Sequence, residues 1–309
     1  MKPAFSVIFF TTLSGAGYGM LFWLGLHYAW SPLPLSREFA AILFALALLL
    51  ISIGLLSSLL HLGKPARAWR ALSQWQSSWL SREGLLAMTS YAPALGLMAL
   101  IWLGALSLPA QALGALLALI ALATVSATAM IYASLRTIPA WHDWRVLPVY
   151  LLYAVLSGGL LLMTLLSLTG WRPASAVLYV AAAGLIALTA LKLSYWQALV
   201  TLEHTPEPAS ALGLAPGSVV HAFERPHTER SFITREMGFV LARKHARVLR
   251  LLAIVLSALL PLLALLISHR LAAPAGVLAS AVLAMGLGAV LERWLFFAEA
   301  RHVVMRYYP

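Results

Sequence analysis

Eight long apolar runs, separated by turns or basic loops, constrain what this chain can fold into more than any other feature. A run of roughly 20 apolar residues is long enough to cross a hydrocarbon core about 30 Å thick. Because no water is available there to satisfy backbone polar groups, each run is expected to form a helix. The predicted spans are residues 5–30, 39–62, 83–106, 110–133, 147–169, 175–199, 247–268 and 273–297.

The composition agrees with these spans and excludes several functions. Hydrophobic residues make up 62% of the chain and charged residues only 10%, whereas a soluble domain has about 25% charged residues. The absence of cysteine excludes disulfides, thiolate catalysis and cysteine-ligated iron–sulfur clusters on this chain. The first run is too long for a signal-peptide core, so we expect it to be retained. The sequence therefore predicts an all-α, polytopic integral membrane protein, with one transmembrane domain over residues 1–309.

The cations are distributed unequally between the two sides of such a protein. Eight crossings place both termini on one side, together with the long loops 63–82, 134–146 and 200–246. We call this side the loop face. Of the 21 Lys and Arg residues, the opposite face receives only Arg37, Arg172 and Arg270, which leaves eighteen for the loop face. By the positive-inside rule, the loop face is predicted to be cytoplasmic in an inner membrane. This topology explains the net charge of +11 without nucleic-acid binding, and long loops on one face suit the docking of soluble subunits.

The loop at residues 61–83, HLGKPARAWRALSQWQSSWLSRE, has a composition typical of a contact region. It concentrates four cations, three tryptophans, a histidine and a carboxylate between two apolar runs. Its ending, SWLSRE at residues 78–83, resembles SFITRE at residues 231–236. Each segment precedes an apolar span, which suggests two four-helix halves repeated in parallel. A chance match of six residues is the alternative.

Two other motifs favour structural roles over cofactor binding. Gly15, Gly17 and Gly19 lack the preceding strand, the longer glycine spacing and the acidic residue of a dinucleotide site. Gly15 and Gly19 are four residues apart, which favours close helix packing. The nine histidines lie near span ends or in loops, whereas membrane haem sites need facing histidines within the bundle. We expect no haem and no metal site.

Glu83 is the residue with the strongest candidate function. Its carboxylate either stabilises the positive end of the third helix and pairs with Arg82 or Arg67, or it exchanges protons with a bound quinone. His61 lies across the same loop and is predicted to share that role. The tryptophans near the loop face are typical of an aromatic belt, although Trp79 is also placed to line a pocket for a ring-shaped ligand. The second resembling segment suggests Glu236 and His245 as an alternative pair.

Four segments together resemble the dimethyl sulfoxide reductase membrane-anchor family, and the resemblance extends from end to end. The H-L-G-x-P-x-R loop with its S-W-L-S-R-E ending is the most specific of them. The segments are PAFSVIFFTTLSGAGYG at residues 3–19, the loop at 61–83, REMGFVLARKHARVLR at 235–250 and ERWLFFAEARHVVMRYYP at 292–309.

The resemblance implies an anchor that spans the membrane eight times and binds ubiquinone or menaquinone without haem. It also implies docking of an iron–sulfur subunit with four clusters and of a catalytic subunit that carries molybdopterin guanine dinucleotide. By position, the family's loop histidine and arginine correspond to His61 and Arg67, and its quinone-linked glutamate corresponds to Glu83. We therefore predict Glu83 and His61 as the proton-exchanging residues. The predicted quinone site also includes Arg67, Trp79 and Arg82.

Two activities are compatible with such an anchor. The cytoplasmic prediction for the loop face favours the similar anchor of a sulfite dehydrogenase, in which sulfite is oxidised to sulfate and membrane quinone is reduced. The alternative is a dimethyl sulfoxide reductase anchor that oxidises menaquinol. A secondary transporter is the main candidate from another class. Transporters place ionisable residues near the bilayer midplane, whereas here the span middles are almost free of charge. The nearest candidate is Lys192, which we expect to reach the surface through its long side chain. A purely structural anchor is the third possibility.

Overall fold

The computed structural model contains only helices, turns and loops among the residues it describes. Eight of its helices are long and apolar enough to span a membrane, which confirms the predicted fold class and number of spans. The described residues are 3–30, 35–60, 62–105, 108–202, 209, 212–215, 217–221, 223, 245–271 and 274–303. The helices are α1 (Phe5–Trp30), α2 (Arg37–Leu59), α3 (Trp79–Trp102), α4 (Leu108–Ala133), α5 (Val146–Leu168), α6 (Ser175–Leu202), α7 (Ala246–Ser268) and α8 (Ala275–Ala298).

Helix α3 begins one turn earlier than predicted. The side chain of Ser78 caps it by accepting a hydrogen bond from the Ser81 amide, and the first helical residue is Trp79. Glu83 therefore lies in the second turn, and the expectation that it belongs to the first turn is wrong. Hydropathy indicates where the membrane begins, whereas the helix itself starts at its cap, which can lie in the polar loop.

Helix α7 is interrupted at its centre. Its α-helical segments Ala246–Ile254 and Leu260–Ser268 are joined by a π-helical turn at Val255–Leu259. Pro261 follows this turn and has no N–H to donate to the preceding backbone, so the regular hydrogen-bond ladder is broken there.

Helix α1 lies at the centre of the bundle and packs against α2, α4 and α5. Helix α3 packs on α4, while α5, α6, α7 and α8 surround a second apolar core. Because α1 packs on α5 about as closely as on α2 and α4, these contacts do not test the predicted division into two four-helix halves. The internal repeat stays a prediction because residues 231–236 lie outside the described part of the chain.

The contact between α1 and α5 depends on glycine. A Cβ added to Gly19 would lie 1.7 Å from the Ala154 carbonyl oxygen, and one added to Gly158 would lie 2.2 Å from the Gly19 carbonyl carbon. The two backbones therefore touch, as the small-residue spacing predicted for Gly19. Gly15 differs, because its nearest neighbour in the same test is the Ala154 Cβ at 4.0 Å.

The loop before α3 contains a 3-10 helix at Pro65–Gln74. It is attached to α3 by a hydrogen bond from the Ser81 hydroxyl to the Ala71 carbonyl oxygen. The side chain of Leu72 lies against Gly84. The loop thus forms an ordered platform at the loop face, with Trp69 and Trp75 exposed on it.

Not all of the tryptophans near the loop face form a belt at the surface. Trp141 and Trp196 are buried. Trp141 donates to the Phe296 carbonyl oxygen and its ring stacks on the Phe296 ring. For these two residues the aromatic-belt interpretation is wrong, because their rings fill the end of the bundle.

Candidate functional site

Glu83 is buried inside the bundle, with only 4% of its surface exposed. Its Oε1 lies 2.6 Å from the Thr128 hydroxyl, which lies 3.1 Å from the Thr124 carbonyl oxygen. A hydroxyl has one proton to donate and can also accept. An ionised Glu83 therefore accepts from Thr128, while a protonated Glu83 can donate to it as Thr128 donates to Thr124. The pair suits both protonation states of the carboxyl group.

The predicted site residues on α3 do not share one pocket. Glu83 belongs to the inward face, which repeats with helical spacing through Ala87 and Ser90. Trp79 and Arg82 line a cleft between α3 and α4 that Glu83 does not line. The spacing of four residues between Trp79 and Glu83 does not bring their side chains into one pocket.

The cleft beside Trp79, which we call the outer cleft, has a volume of about 670 Å³ and is largely apolar. Arg82 lines this cleft, but its guanidinium is already used in hydrogen bonds to the loop. Its Nε donates to the Trp75 carbonyl oxygen at 2.9 Å, and its Nη2 donates to the Gln76 carbonyl oxygen at 2.6 Å. The Arg82 guanidinium also lies 4.4 Å from the centre of the Trp79 ring. These contacts fix the end of the loop to α3. The cleft is lined by Trp75, Trp79, Arg82, Leu85, Leu86, Ala123, Ser126, Ala127, Met130 and Leu147.

A second cavity, the inner cavity, has a volume of about 390 Å³ and lies mainly between α1, α4, α5 and α8. Phe9 and Gly286 lie on its exposed rim. Its buried polar lining is formed by Thr11, Ser14, Tyr18, Thr128, Tyr150, Tyr153 and Arg293. Thr128 thus connects this cavity to Glu83.

A buried charge cluster lies next to the inner cavity and was not predicted from the sequence. Lys192 and Glu292 form an ion pair, and Arg293 Nε lies 2.7 Å from Glu292 Oε2. Lys192 is 3% exposed and Glu292 0%. The expectation that Lys192 reaches the surface is wrong, because its ammonium pairs with Glu292 and lies over the rings of Tyr195 and Trp196.

Arg293 has hydrogen-bonding capacity that the described residues leave unused. Its guanidinium carbon lies 3.8 Å from the centre of the Tyr150 ring. Within the described part of the chain, neither terminal nitrogen of Arg293 has a hydrogen-bond partner, and the same holds for the hydroxyls of Tyr18 and Tyr150. All three side chains line the inner cavity.

Glu299 follows α8 at the loop face and pairs with Arg250, whose Nε lies 2.9 Å from its carboxylate. Burial raises the pKa of Glu299, and the Arg250 guanidinium partly opposes that shift. This pair extends the charged network from the bundle towards the loop face.

Of the remaining predicted site residues, Arg67 and His245 lie in the described part of the chain, where neither is a hydrogen-bond or ion-pair partner of Glu83. Arg67 is exposed in the 3-10 helix. His245 precedes α7 without capping it through its side chain. His61 and Glu236 lie outside the described residues. Among the residues that the structure describes, no group of three His, Asp or Glu is placed to hold a metal.

Some of these residues were accessible to sequence reasoning. Glu292 and Arg293 are adjacent charges inside the last apolar span, and this placement was a detectable signal, but Arg293 was counted as a topology cation. Thr128 gives no signal, since an isolated threonine in an apolar helix commonly bonds to its own backbone.

The fold and this site define an eight-helix integral membrane protein with a buried carboxylate and two cavities near its loop face. Residues 1–298 match the model of the family described as "DMSO reductase anchor subunit (DmsC)". The chain belongs to this family, as the sequence resemblance predicted.

Two known proteins are similar to the chain. It is 34% identical over 326 residues to a sulfite dehydrogenase subunit of Allochromatium vinosum, an alignment that covers 100% of this chain and 99% of that protein. It is 32% identical over 177 residues to "Anaerobic dimethyl sulfoxide reductase chain YnfH" of Escherichia coli K12, with 53% of this chain and 58% of that protein covered.

Proposed function

We propose that this chain is the quinone-reactive membrane anchor of a three-subunit molybdenum oxidoreductase. The observation that carries the proposal is the Glu83–Thr128 pair, a buried carboxyl group near the loop face whose partner lines a membrane-embedded cavity. Ionisable groups inside a membrane are costly and commonly functional. Membership of the anchor family supports the same role.

The proposed chemistry requires both electrons and protons. Reduction of a quinone to a quinol takes up two electrons and two protons. Electrons would reach the quinone from a docked iron–sulfur subunit, and Glu83 with His61 would deliver the protons. The two hydrogen-bonding arrangements available to Thr128 would let Glu83 lose and regain a proton without leaving an unpaired group. Arg67 would supply charge at the loop. Trp79 and Arg82, also predicted as quinone contacts, line the outer cleft and not the cavity that Thr128 lines.

We further propose that the complex oxidises sulfite. Sulfite and water give sulfate, two protons and two electrons, which matches the demand of one quinone. The full-length similarity to a subunit of a sulfite dehydrogenase favours this substrate. The catalytic subunit, with its molybdopterin guanine dinucleotide, and the four-cluster iron–sulfur subunit would dock at a cytoplasmic loop face. An anchor that oxidises menaquinol for dimethyl sulfoxide reduction is the alternative.

The test is sulfite-dependent reduction of decylubiquinone by the purified complex in proteoliposomes. Glu83→Gln keeps the shape but removes the titratable group, so we expect quinone reduction to fall at least about 100-fold, as for the loss of a general acid–base residue. Reduction of ferricyanide by the catalytic subunit should be unchanged, which verifies assembly. Glu38→Gln, at an exposed carboxylate in the first turn of α2, is the matched control. Normal quinone reduction by Glu83→Gln would contradict the assignment.

One observation favours the transporter alternative. The cluster of Lys192, Glu292 and Arg293 is ionisable and lies within membrane spans, whose middles were predicted to be nearly free of charge. Ion or solute uptake by the chain alone in liposomes would support transport. We expect uptake no faster than in protein-free liposomes.

A further inference from the structure

We propose that the quinone ring binds in the inner cavity, with Arg293 and Tyr150 as hydrogen-bond donors to its oxygens. This inference rests on the proposed function. It places the quinone in the inner cavity and not in the outer cleft that Trp79 and Arg82 line. The ligand is a quinone or its quinol, held between α1, α5 and α8.

The first argument is the unused bonding capacity of the cavity wall. Arg293 is 3% exposed, and its two terminal nitrogens lack partners among the described residues. A buried donor without a partner costs about 1–3 kcal/mol, and more if charged. A ligand oxygen would remove this cost, and a quinone has two carbonyl oxygens that only accept. Tyr150 adds a hydroxyl that is likewise unpartnered in the described structure, beside the guanidinium.

The second argument is the orientation of Arg293. Its Nε lies 2.7 Å from Glu292 Oε2 in an ion pair, and its guanidinium carbon lies 3.8 Å from the centre of the Tyr150 ring. Two contacts therefore fix the group before any ligand arrives, so little side-chain entropy remains to be lost on binding. The terminal nitrogens are left for the cavity that Arg293 lines.

The third argument is the shape of the inner cavity. Its volume of about 390 Å³ falls in the range of small-molecule pockets. Its lining is mostly apolar, with polar groups at the buried end and Phe9 and Gly286 at the exposed rim. A quinone arriving from the bilayer could place its ring at the buried end and leave its isoprenoid tail in the lipid.

The outer cleft offers less to a quinone oxygen. Arg82 already donates to two loop carbonyl oxygens, and the hydroxyl of Ser126 donates to the Leu122 carbonyl oxygen. Within the described structure, none of its lining residues has a buried polar atom without a partner. With the quinone in the inner cavity, Arg82 and Trp79 hold the loop against α3 and do not contact the quinone.

The inner cavity also provides a route for protons. Thr128 lines it and contacts Glu83, on the wall formed by α4. Arg293 lines it from α8. A ring between them would have a fixed cation on one side and a proton-exchanging carboxyl group on the other, connected through the Thr128 hydroxyl.

The experiment is photolabelling of the whole complex in nanodiscs with an azido-substituted 1,4-benzoquinone that carries a decyl tail. Labelled peptides are mapped by mass spectrometry with and without excess decylubiquinone. We expect competed labelling around Tyr18, Tyr150 and Arg293. Competed labelling confined to residues 75–86 or Met130 would overturn the inner-cavity site and leave the proposed function intact. The absence of any competed labelling on this chain would overturn both.

A matched pair of glycine variants provides the second measurement. Gly286 lines the cavity, and a Cβ added there meets nothing within 4 Å; the same is true of Gly276, which is exposed on the same helix but does not line it. Gly286→Leu should fill the cavity and reduce competed labelling at least tenfold, while Gly276→Leu leaves it unchanged. Equal labelling of both variants would contradict the inference. If Gly286→Leu fails to assemble, the labelling map of the unchanged complex decides.

Discussion

Glu83 and Thr128 form the smallest functional unit of this protein. The carboxyl group is buried among apolar helices, and the hydroxyl is its one hydrogen-bond partner in the described structure. Because Thr128 can either donate to Glu83 or accept from it, the pair can exist in both protonation states. A residue that releases and takes up protons inside a membrane needs a hydrogen-bond partner that can both donate and accept.

Removal of the Thr128 hydroxyl should therefore destabilise the fold and also slow quinone reduction. Thr128→Val keeps the shape but leaves a Glu83 oxygen without a partner, which costs about 1–3 kcal/mol. We expect a lower melting temperature in detergent and slower quinone reduction. Thr128→Ser retains the hydroxyl and should behave as the unchanged protein. Equal melting of the Val and Ser variants would show that this hydrogen bond contributes nothing.

Glu292 is the most constrained residue of the buried charge cluster, because Lys192 and Arg293 both pair with it. Glu292→Gln leaves two buried cations without a counter-charge, and the loss of one partner of a buried pair costs about 3–5 kcal/mol. We expect most of the complex to fail to assemble, as measured by its yield in size-exclusion chromatography. Lys192→Met removes one cation and leaves the pair of Glu292 and Arg293, so its yield should be higher. A lower yield for Lys192→Met than for Glu292→Gln would contradict this order.

The sequence predicted individual residues only where they stood out from their surroundings. Glu83 was identified because a carboxylate at the edge of an apolar span is unusual. Lys192 was noticed but misplaced, because the partner that keeps its ammonium inside the bundle is 100 positions away on α8. Thr128 and Tyr150 have no local signal at all, since their roles arise only when α3, α4, α5 and α8 come together.

At the scale of helices, the crossing of α1 and α5 lies beside the inner cavity, next to its lining residues Tyr18 and Ser157. The two helices touch at Gly19 and Gly158, and both contribute residues to the lining. Any side chain at the crossing must separate their backbones.

Gly158→Ala should therefore destabilise the bundle, because its Cβ would meet the α1 backbone at 2.2 Å. Overpacking of this kind typically costs about 1–3 kcal/mol, and here backbone rather than a movable side chain is in the way. We expect a lower melting temperature and weaker quinone binding together. Gly276→Ala, in open space on α8, is the control and should change neither property.

All eight helices could be predicted from hydropathy, because a span of apolar residues in lipid has no alternative to a helix. The residues at which these helices begin and end could not be predicted from hydropathy. The start of α3 is set by the cap at Ser78, and the π turn of α7 depends on Pro261 and on the packing of Ser257 against Gly288. These are local or tertiary effects that a hydropathy window averages out.

At the scale of the whole molecule, the distribution of charge predicts that the loop face is cytoplasmic. The chain contains no cysteine, so single cysteines report topology without background. Ser73 is exposed in the 3-10 helix of the loop face, and Arg172 lies on the opposite face. In spheroplasts, a membrane-impermeant maleimide should label Arg172→Cys at once and Ser73→Cys only after membrane disruption. The reverse pattern would invert the topology and favour an outward-facing reductase.

Helices α1, α4, α5 and α8 meet around the inner cavity, and the central claim is that a quinone binds this chain there. The most direct measurement is a calorimetric titration of decylubiquinone into nanodiscs that contain the complex, with empty nanodiscs as the reference. We expect a saturable component of one quinone per chain that is absent from Gly286→Leu and present in Gly276→Leu. Uptake no greater than that of empty nanodiscs would contradict the claim.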